Sequence, residues 1–192
     1  MPKPNVRDQL ITASLATLHR KGFNATSVQD ITDAAGVPKG SFYNHFASKE
    51  ALGVEVVRLY SEGAAQLDAS VDDPALPPLE RVRRSFAAKV DANVKAEFAC
   101  GCLLGNFSTE LSAQSEPIRQ EVSASYAGWA AWLQALFTQA RQEGALAADE
   151  DTAELAQAAI DAWQGAVLRS KAEHSRAPLD RFMKTLNTRF LR

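Results

Sequence analysis

The chain has 192 residues, of which 46% are hydrophobic and 23% charged, with a formal net charge of −2 at pH 7. This length and apolar content can bury one compact core or two short ones, and they exclude a chain too polar to fold. There is no apolar run of roughly eighteen residues and no charged, apolar, cleavable N-terminus, so neither a transmembrane helix nor a secretion signal is expected, and a cytoplasmic location is.

From Asn5 to Lys21, the residues Val6, Leu10, Ile11, Ser14, Leu15 and Leu18 fall on one stripe, which predicts a helix closed by Gly22. Thr26 and Ser27 are N-cap hydroxyls for a second helix, with Asp30 three residues beyond Ser27 and a stripe of Val28, Ile31, Ala34 and Ala35. Gly36 suits the left-handed position that ends it, and Pro38 suits the first turn of the next. That next helix, Lys39 to Phe46, has two large apolar anchors, Phe42 and Phe46, on one face. Lys39, Gly40, Ser41, Tyr43, Asn44 and His45 are left as a hydrogen-bonding surface of the kind a major groove accepts. Gly40 costs a helix about 1 kcal/mol relative to Ala, and close approach of its backbone to a phosphate would account for it. Phe23 and Phe46 are expected to join Leu10, Leu15, Ile31, Phe42 and Leu52 in a small core.

A connecting helix is expected over Ser48 to Ser70, carrying Val56, Leu59, Tyr60 and Leu67. Val71 to Pro78, with three prolines, reads as a loop. Helical stripes follow at Leu79, Val82, Phe86, Val90 and Val94, and at Ile118, Val122, Tyr126, Trp129, Leu133, Leu136, Phe137 and Ala140, the latter closed by Gly144. Asp151 to Ser170 holds Leu155, Ile160, Trp163 and Val167 among many small residues, and Pro178 opens a last helix through Phe182 and Leu186 to Leu191. No alternating run is long enough for a strand, so an all-α fold of about nine helices is predicted.

The two cysteines, Cys100 and Cys102, stand one residue apart before a short apolar helix. His19, His45 and His174 are too scattered to complete a zinc site, so no metal is expected. A disulfide between such close neighbours would be strained. Two readings stay open: a pair of small buried hydrophobes, or a sensor thiol at Cys102. A helix N-terminus lowers a thiol's pKa, whereas the apolar neighbours Phe98, Leu103 and Leu104 raise it. No nucleophile–base pair, phosphate loop or cofactor motif favours an enzyme.

The string from Thr26 to Leu52, TSVQDITDAAGVPKGSFYNHFASKEAL, together with Gly22-Phe23, resembles the TetR family of bacterial transcriptional regulators. The resemblance implies a helix-turn-helix DNA-binding domain at residues 1–50 and a ligand-binding and dimerisation domain at 51–192. It further implies a homodimer through the last two helices that binds a palindromic operator in double-stranded DNA and lets go when an effector binds. Family habit favours repression. Combined with side-chain chemistry, it casts Thr26, Ser27, Tyr43, His45 and Lys49 as phosphate contacts, Lys39, Ser41 and Asn44 as readers of base edges, and Gly40 as the point of close approach. Residues 1–50 carry six Lys/Arg against four Asp/Glu and the remainder fifteen against nineteen, so affinity should depend on dimerisation and aimed contacts more than on a broad basic field.

Gly101-Cys102-Leu103-Leu104 with Asn106, Ser108 and Glu110-Leu111 resembles the branch that includes the N-ethylmaleimide-responsive repressor, in which the matching cysteine senses electrophiles or oxidants. A related branch answers to small unsaturated acids. Phe86, Phe107, Tyr126, Trp129, Trp132 and Trp163 are candidate pocket walls, with Asn106 and Glu110 as polar groups and Cys100 and Cys102 as sensing groups. A thiol-based helical enzyme and a helical adaptor that does not bind DNA remain as alternatives.

Overall fold

A computed structural model describes residues 5–192. Nine α-helices run in chain order among the described residues: α1 Val6–Lys21, α2 Val28–Ala35, α3 Lys39–Tyr43, α4 Lys49–Val71, α5 Pro78–Lys95, α6 Leu103–Leu111, α7 Glu116–Gln142, α8 Thr152–Glu173 and α9 Ala177–Thr185. A π-helical turn over Leu186–Phe190 follows, and no strand occurs among these residues. None of the helices is long and apolar enough to cross a membrane.

Local chemistry sets most of the helix ends. The Asn5 side chain accepts from the Arg7 amide at the start of α1. Ser27 and Asp30 form a reciprocal capping box at the start of α2, with the Asp30 amide 3.1 Å from Ser27 Oγ and the Ser27 amide 2.8 Å from Asp30 Oδ2. Gly36 takes the left-handed conformation that closes α2, φ 66° and ψ 30°. Asp151 accepts from the Ala153 and Glu154 amides to start α8.

Two ends differ from the expectation. The recognition segment is helical only as far as Tyr43, because the Phe42 carbonyl takes the amides of both His45 and Phe46 in a closing turn that carries Phe46 back into the core. The final helix does not continue regularly to Leu191. At Leu186 it widens, the Leu191 amide bonds to the Leu186 carbonyl five residues back, and both leucines are buried.

The residues divide into two compact units, one formed by 5–63 with 103–125 and the other by 64–102 with 126–192. In the first, Leu10, Ile11, Leu18, Phe23, Ile31, Phe42, Phe46, Leu52, Val56 and Phe107 are buried. Leu15 was expected among them and is only half-buried, the stripe of α1 being centred on Leu10, Ser14 and Leu18 instead. Gly53 is packed so closely that a Cβ there would lie 2.9 Å from Ile118 Cδ1 and 3.0 Å from Phe23 Cε2. The second unit is built around Phe86, Phe137, Trp163, Leu179, Phe182 and Leu186, with Val82, Leu133 and Ile160 between them.

Candidate functional site

In the first unit, α3 is a single turn fastened by its apolar side. Phe42 is fully buried, with the Phe46 ring 5.7 Å and the Tyr43 ring 5.2 Å away between centroids. Lys39, Gly40, Tyr43, Asn44 and His45 are exposed and Ser41 is half-buried; Tyr43, at 60%, is one of two large hydrophobic side chains left facing solvent among the described residues. A Cβ on Gly40 would meet nothing within 4 Å, so the glycine answers no steric demand inside the chain.

The residues leading into the motif are more committed than expected. Thr26 is 1% exposed, and its hydroxyl donates to the Gly22 carbonyl at 2.7 Å. The Ser27 hydroxyl is engaged in the cap of α2, where hydrogen bonds from the Ser27 side chain and amide, with Lys21 beside it, hold the Asp30 carboxyl well below the usual carboxylate range. Lys49 turns inward: its ammonium donates to the carbonyls of Phe23 and Thr26, each at 2.9 Å, and lies 4.2 Å over the Phe23 ring. Burial pushes its pKa down, and the Glu110 carboxylate pulls it partly back. Lys49 therefore joins α4 to the α1–α2 corner rather than projecting as a free phosphate clamp.

Glu110 and Phe107 belong to this same unit. Glu110 Oε2 accepts from the Asn24 amide at 2.9 Å, and Phe107 is fully buried with its ring edge-on to Phe23, 5.7 Å between centroids. Phe107 and Leu111 of α6 are buried in the core of this unit, and Glu110 beside them is bonded to the backbone of the α1–α2 corner. Asn106 is half-buried on α6. Sequence reasoning also missed Arg7, which pairs with Glu55 at 3.0 Å and lies 5.4 Å over the Phe46 ring. No pattern of spacing announces a contact across so many residues.

In the second unit, Cys100 and Cys102 are half-buried thiols rather than a disulfide. Gln164 Nε2 donates to Cys102 Sγ at 3.4 Å, and Lys171 Nζ donates to the Cys100 carbonyl at 3.3 Å. The chain approaches them through three left-handed residues, Glu97, Phe98 and Gly101, with φ 51°, 60° and 71°. Two of these carry side chains, a conformation that costs energy and persists only where packing imposes it. Nearby, Lys89 is paired with the Asp68 carboxylate, donates to Ser85 Oγ at 3.0 Å and lies 5.4 Å over the Trp129 ring. Burial drives the Lys89 pKa down, opposed by Asp68 and by the Cys102 sulfur.

Phe86 anchors the aromatic group, with ring centroids 5.9 Å from Trp129, 5.5 Å from Trp163 and 4.9 Å from Phe182. Phe86 and Trp163 are core residues, whereas Tyr126, Trp129 and Trp132 are only partly buried against that core. Trp129 Nε1 is itself buried and donates to no acceptor, an exception among buried polar groups. Among the described residues no group of three or more His, Cys, Asp or Glu side chains is placed to hold a metal ion.

Residues 10–56 match the family model described as bacterial regulatory proteins of the tetR family, and residues 78–186 match that of the tetracyclin repressor-like C-terminal domain. The chain is 38% identical over 184 residues to the HTH-type transcriptional repressor DhaR of Mycobacterium sp. (strain GP1), covering 95% of this chain and 91% of that protein. It belongs to the TetR family. Within it, the crystal structure of regulatory protein TetR from Rhodobacter sphaeroides superposes with a TM-score of 0.87 and 34% identity, over 93% of this chain and 95% of that one. The reduced form of E. coli NemR gives a TM-score of 0.83 at 26% identity, over 95% and 96% of the two chains. This TetR-family chain is accordingly a DNA-binding transcriptional regulator with an N-terminal helix-turn-helix and a C-terminal effector domain.

Proposed function

We propose that this regulator is a cytoplasmic repressor that binds a palindromic operator as a homodimer and releases it when a small molecule or electrophile acts on its C-terminal domain. The observation that carries the reading is α3 with the turn that follows it: Phe42 and Phe46 are buried while Lys39, Tyr43, Asn44 and His45 are turned to solvent. Tyr43 and His45 hold phosphates, Lys39, Ser41 and Asn44 face base edges, and Gly40 lets the backbone approach. Thr26 and Ser27 act through the capped N-terminus of α2, and Lys49 through the corner it fastens. The DNA-binding domain is assigned to residues 1–50 and effector binding and dimerisation to 51–192. α8 and α9 serve as the dimer interface, which the exposed Leu168 on α8 supports, at 63%.

Effector recognition is assigned to the second unit, with Phe86, Tyr126, Trp129, Trp132 and Trp163 as its aromatic surroundings. Cys102 is the sensing thiol, as in a NemR-like branch, supported by its partial exposure and its Gln164 donor. The test is a gel shift with DNA from upstream of its own gene. A retarded complex that weakens steeply with salt is expected, and its absence at low salt refutes the reading. N-ethylmaleimide treatment with mass mapping then checks the sensor: release of DNA while Cys102 stays unmodified removes Cys102 from the mechanism.

A further inference from the structure

The corner between α1 and α2, Gly22 to Thr26, is held from two directions. From α4, the Lys49 ammonium donates to the Phe23 and Thr26 carbonyls, at 2.9 Å each. From α6, Glu110 Oε2 accepts from the Asn24 amide at 2.9 Å, while Phe107 of the same helix packs against Phe23. Gly22 makes room for the second of these. Its φ of 87° lies in the region that favours glycine, and a Cβ there would stand 2.6 Å from Glu110 Oε1. The carboxylate and the ammonium act on one another as well as on the loop between them.

This corner ends at Ser27, the cap of α2, and α2 packs on α3. Its conformation therefore fixes where the recognition surface starts. α6 begins at Leu103, the residue bonded directly to Cys102. One helix thus carries both the chain connection to the thiol segment and the carboxylate that holds the corner.

We propose that Glu110 is a positioning residue for operator recognition: with Lys49 it brackets the Gly22–Thr26 corner, so that a charged hydrogen bond from α6 holds the start of the helix-turn-helix in its reading position. The proposal rests on the DNA-binding reading above and adds to it a residue that acts on the reader without touching DNA. A hydrogen bond to a charged group contributes enough that its loss reads out as about tenfold in an equilibrium. The phosphate-holding side chains of Tyr43 and His45 are kept, so the loss falls mainly on sequence-specific binding and the dependence on salt nearly keeps its slope.

The experiment compares wild type, Glu110→Ala and Glu110→Gln on a DNA fragment selected by the wild-type protein from a random-sequence library, and on unrelated DNA of equal length. Glu110→Ala is expected to bind the selected fragment about tenfold more weakly with unrelated DNA unaffected, and to speed hydrogen exchange at the Asn24 amide. Glu110→Gln, whose amide oxygen can still accept from Asn24, is expected to restore most of both. If Glu110→Ala binds the selected fragment within twofold of wild type, or loses affinity equally on both DNAs, or is not rescued by Gln, the proposal is overturned. Failure of the wild-type protein to select any fragment overturns instead the reading on which it rests.

Discussion

The two units handle their polar groups in opposite ways. The first presents Lys39, Tyr43, Asn44 and His45 to water on α3 and the turn after it, while the second draws Lys89, Asp68 and Ser85 inside, with the Trp129 ring against the Lys89 ammonium. Exposed charges are screened within a Debye length of about 8 Å, so a surface reader works through many aimed contacts, none of them dominant. A buried ion pair is barely screened, and one altered partner there shifts the balance by several kcal/mol. Surface dispersal suits a search along DNA, and burial suits a response to a single small molecule.

The largest test of this contrast is at the anchors. Phe42→Ala is expected to destabilise the first unit by about 3–5 kcal/mol and to abolish DNA binding with it, as read by chemical denaturation and gel shift. Phe86→Ala should cost the second unit a similar amount. Fluorescence of the three tryptophans, all beyond residue 125, is expected to follow the second loss and not the first.

Next in size is the buried pair. Lys89→Met leaves the Asp68 carboxylate buried without its cation and should cost about 3 kcal/mol, whereas Lys89→Met with Asp68→Leu should return close to wild type. If the double variant is no better than the single one, the pair is not the closed unit described. Burial depresses the Lys89 pKa below its ordinary 10.5. Between its folded value and 10.5 the unfolded chain binds more protons, so Lys89 contributes a rise in stability as pH increases through that window. Denaturant titrations of wild type and the double variant should diverge in that direction, with no divergence counting against the buried cation.

Smaller effects are expected on the reader. Tyr43→Ala and Asn44→Ala should each leave stability within about 0.5 kcal/mol. On DNA, Tyr43→Ala should weaken all sequences alike, and Asn44→Ala should relax the preference at one or two base pairs by about 1–3 kcal/mol. Equal losses on selected and random DNA for both would dissolve the division of roles. The smallest is Gly40→Ala, which meets open space and should stabilise α3 by about 1 kcal/mol while weakening DNA binding if the backbone sits against a phosphate.

How much was legible depended on how local its cause is. Ser27 with Asp30, Gly36, Gly144 and Asp151 announced helix ends because the cap lies within a few residues of what it caps. The exposed side of α3 followed from the four-residue spacing of Phe42 and Phe46. The early end of α3 and the π turn at Leu186 were not legible, since both are set by where Phe46 and Leu191 must pack. At the sites, the turn of Lys49 into the corner spans 23 and 26 residues, and the Glu110 bond to Asn24 spans 86. Periodicity has no memory over such distances, so it gave no sign that Phe107 packs on Phe23 or that Glu110 bonds to the Asn24 amide.

The brevity of α3 has a consequence for how such a protein can change. Five residues are far too few to hold a helix in water, so its shape is inherited from Phe42 and Phe46 and owes little to the outward side chains. Those outward positions are then almost free of folding constraint. Drift at Lys39, Ser41, Tyr43, Asn44 and His45 can retarget the reader to another operator while the scaffold beneath stays the same, much as type is reset in an unchanged press.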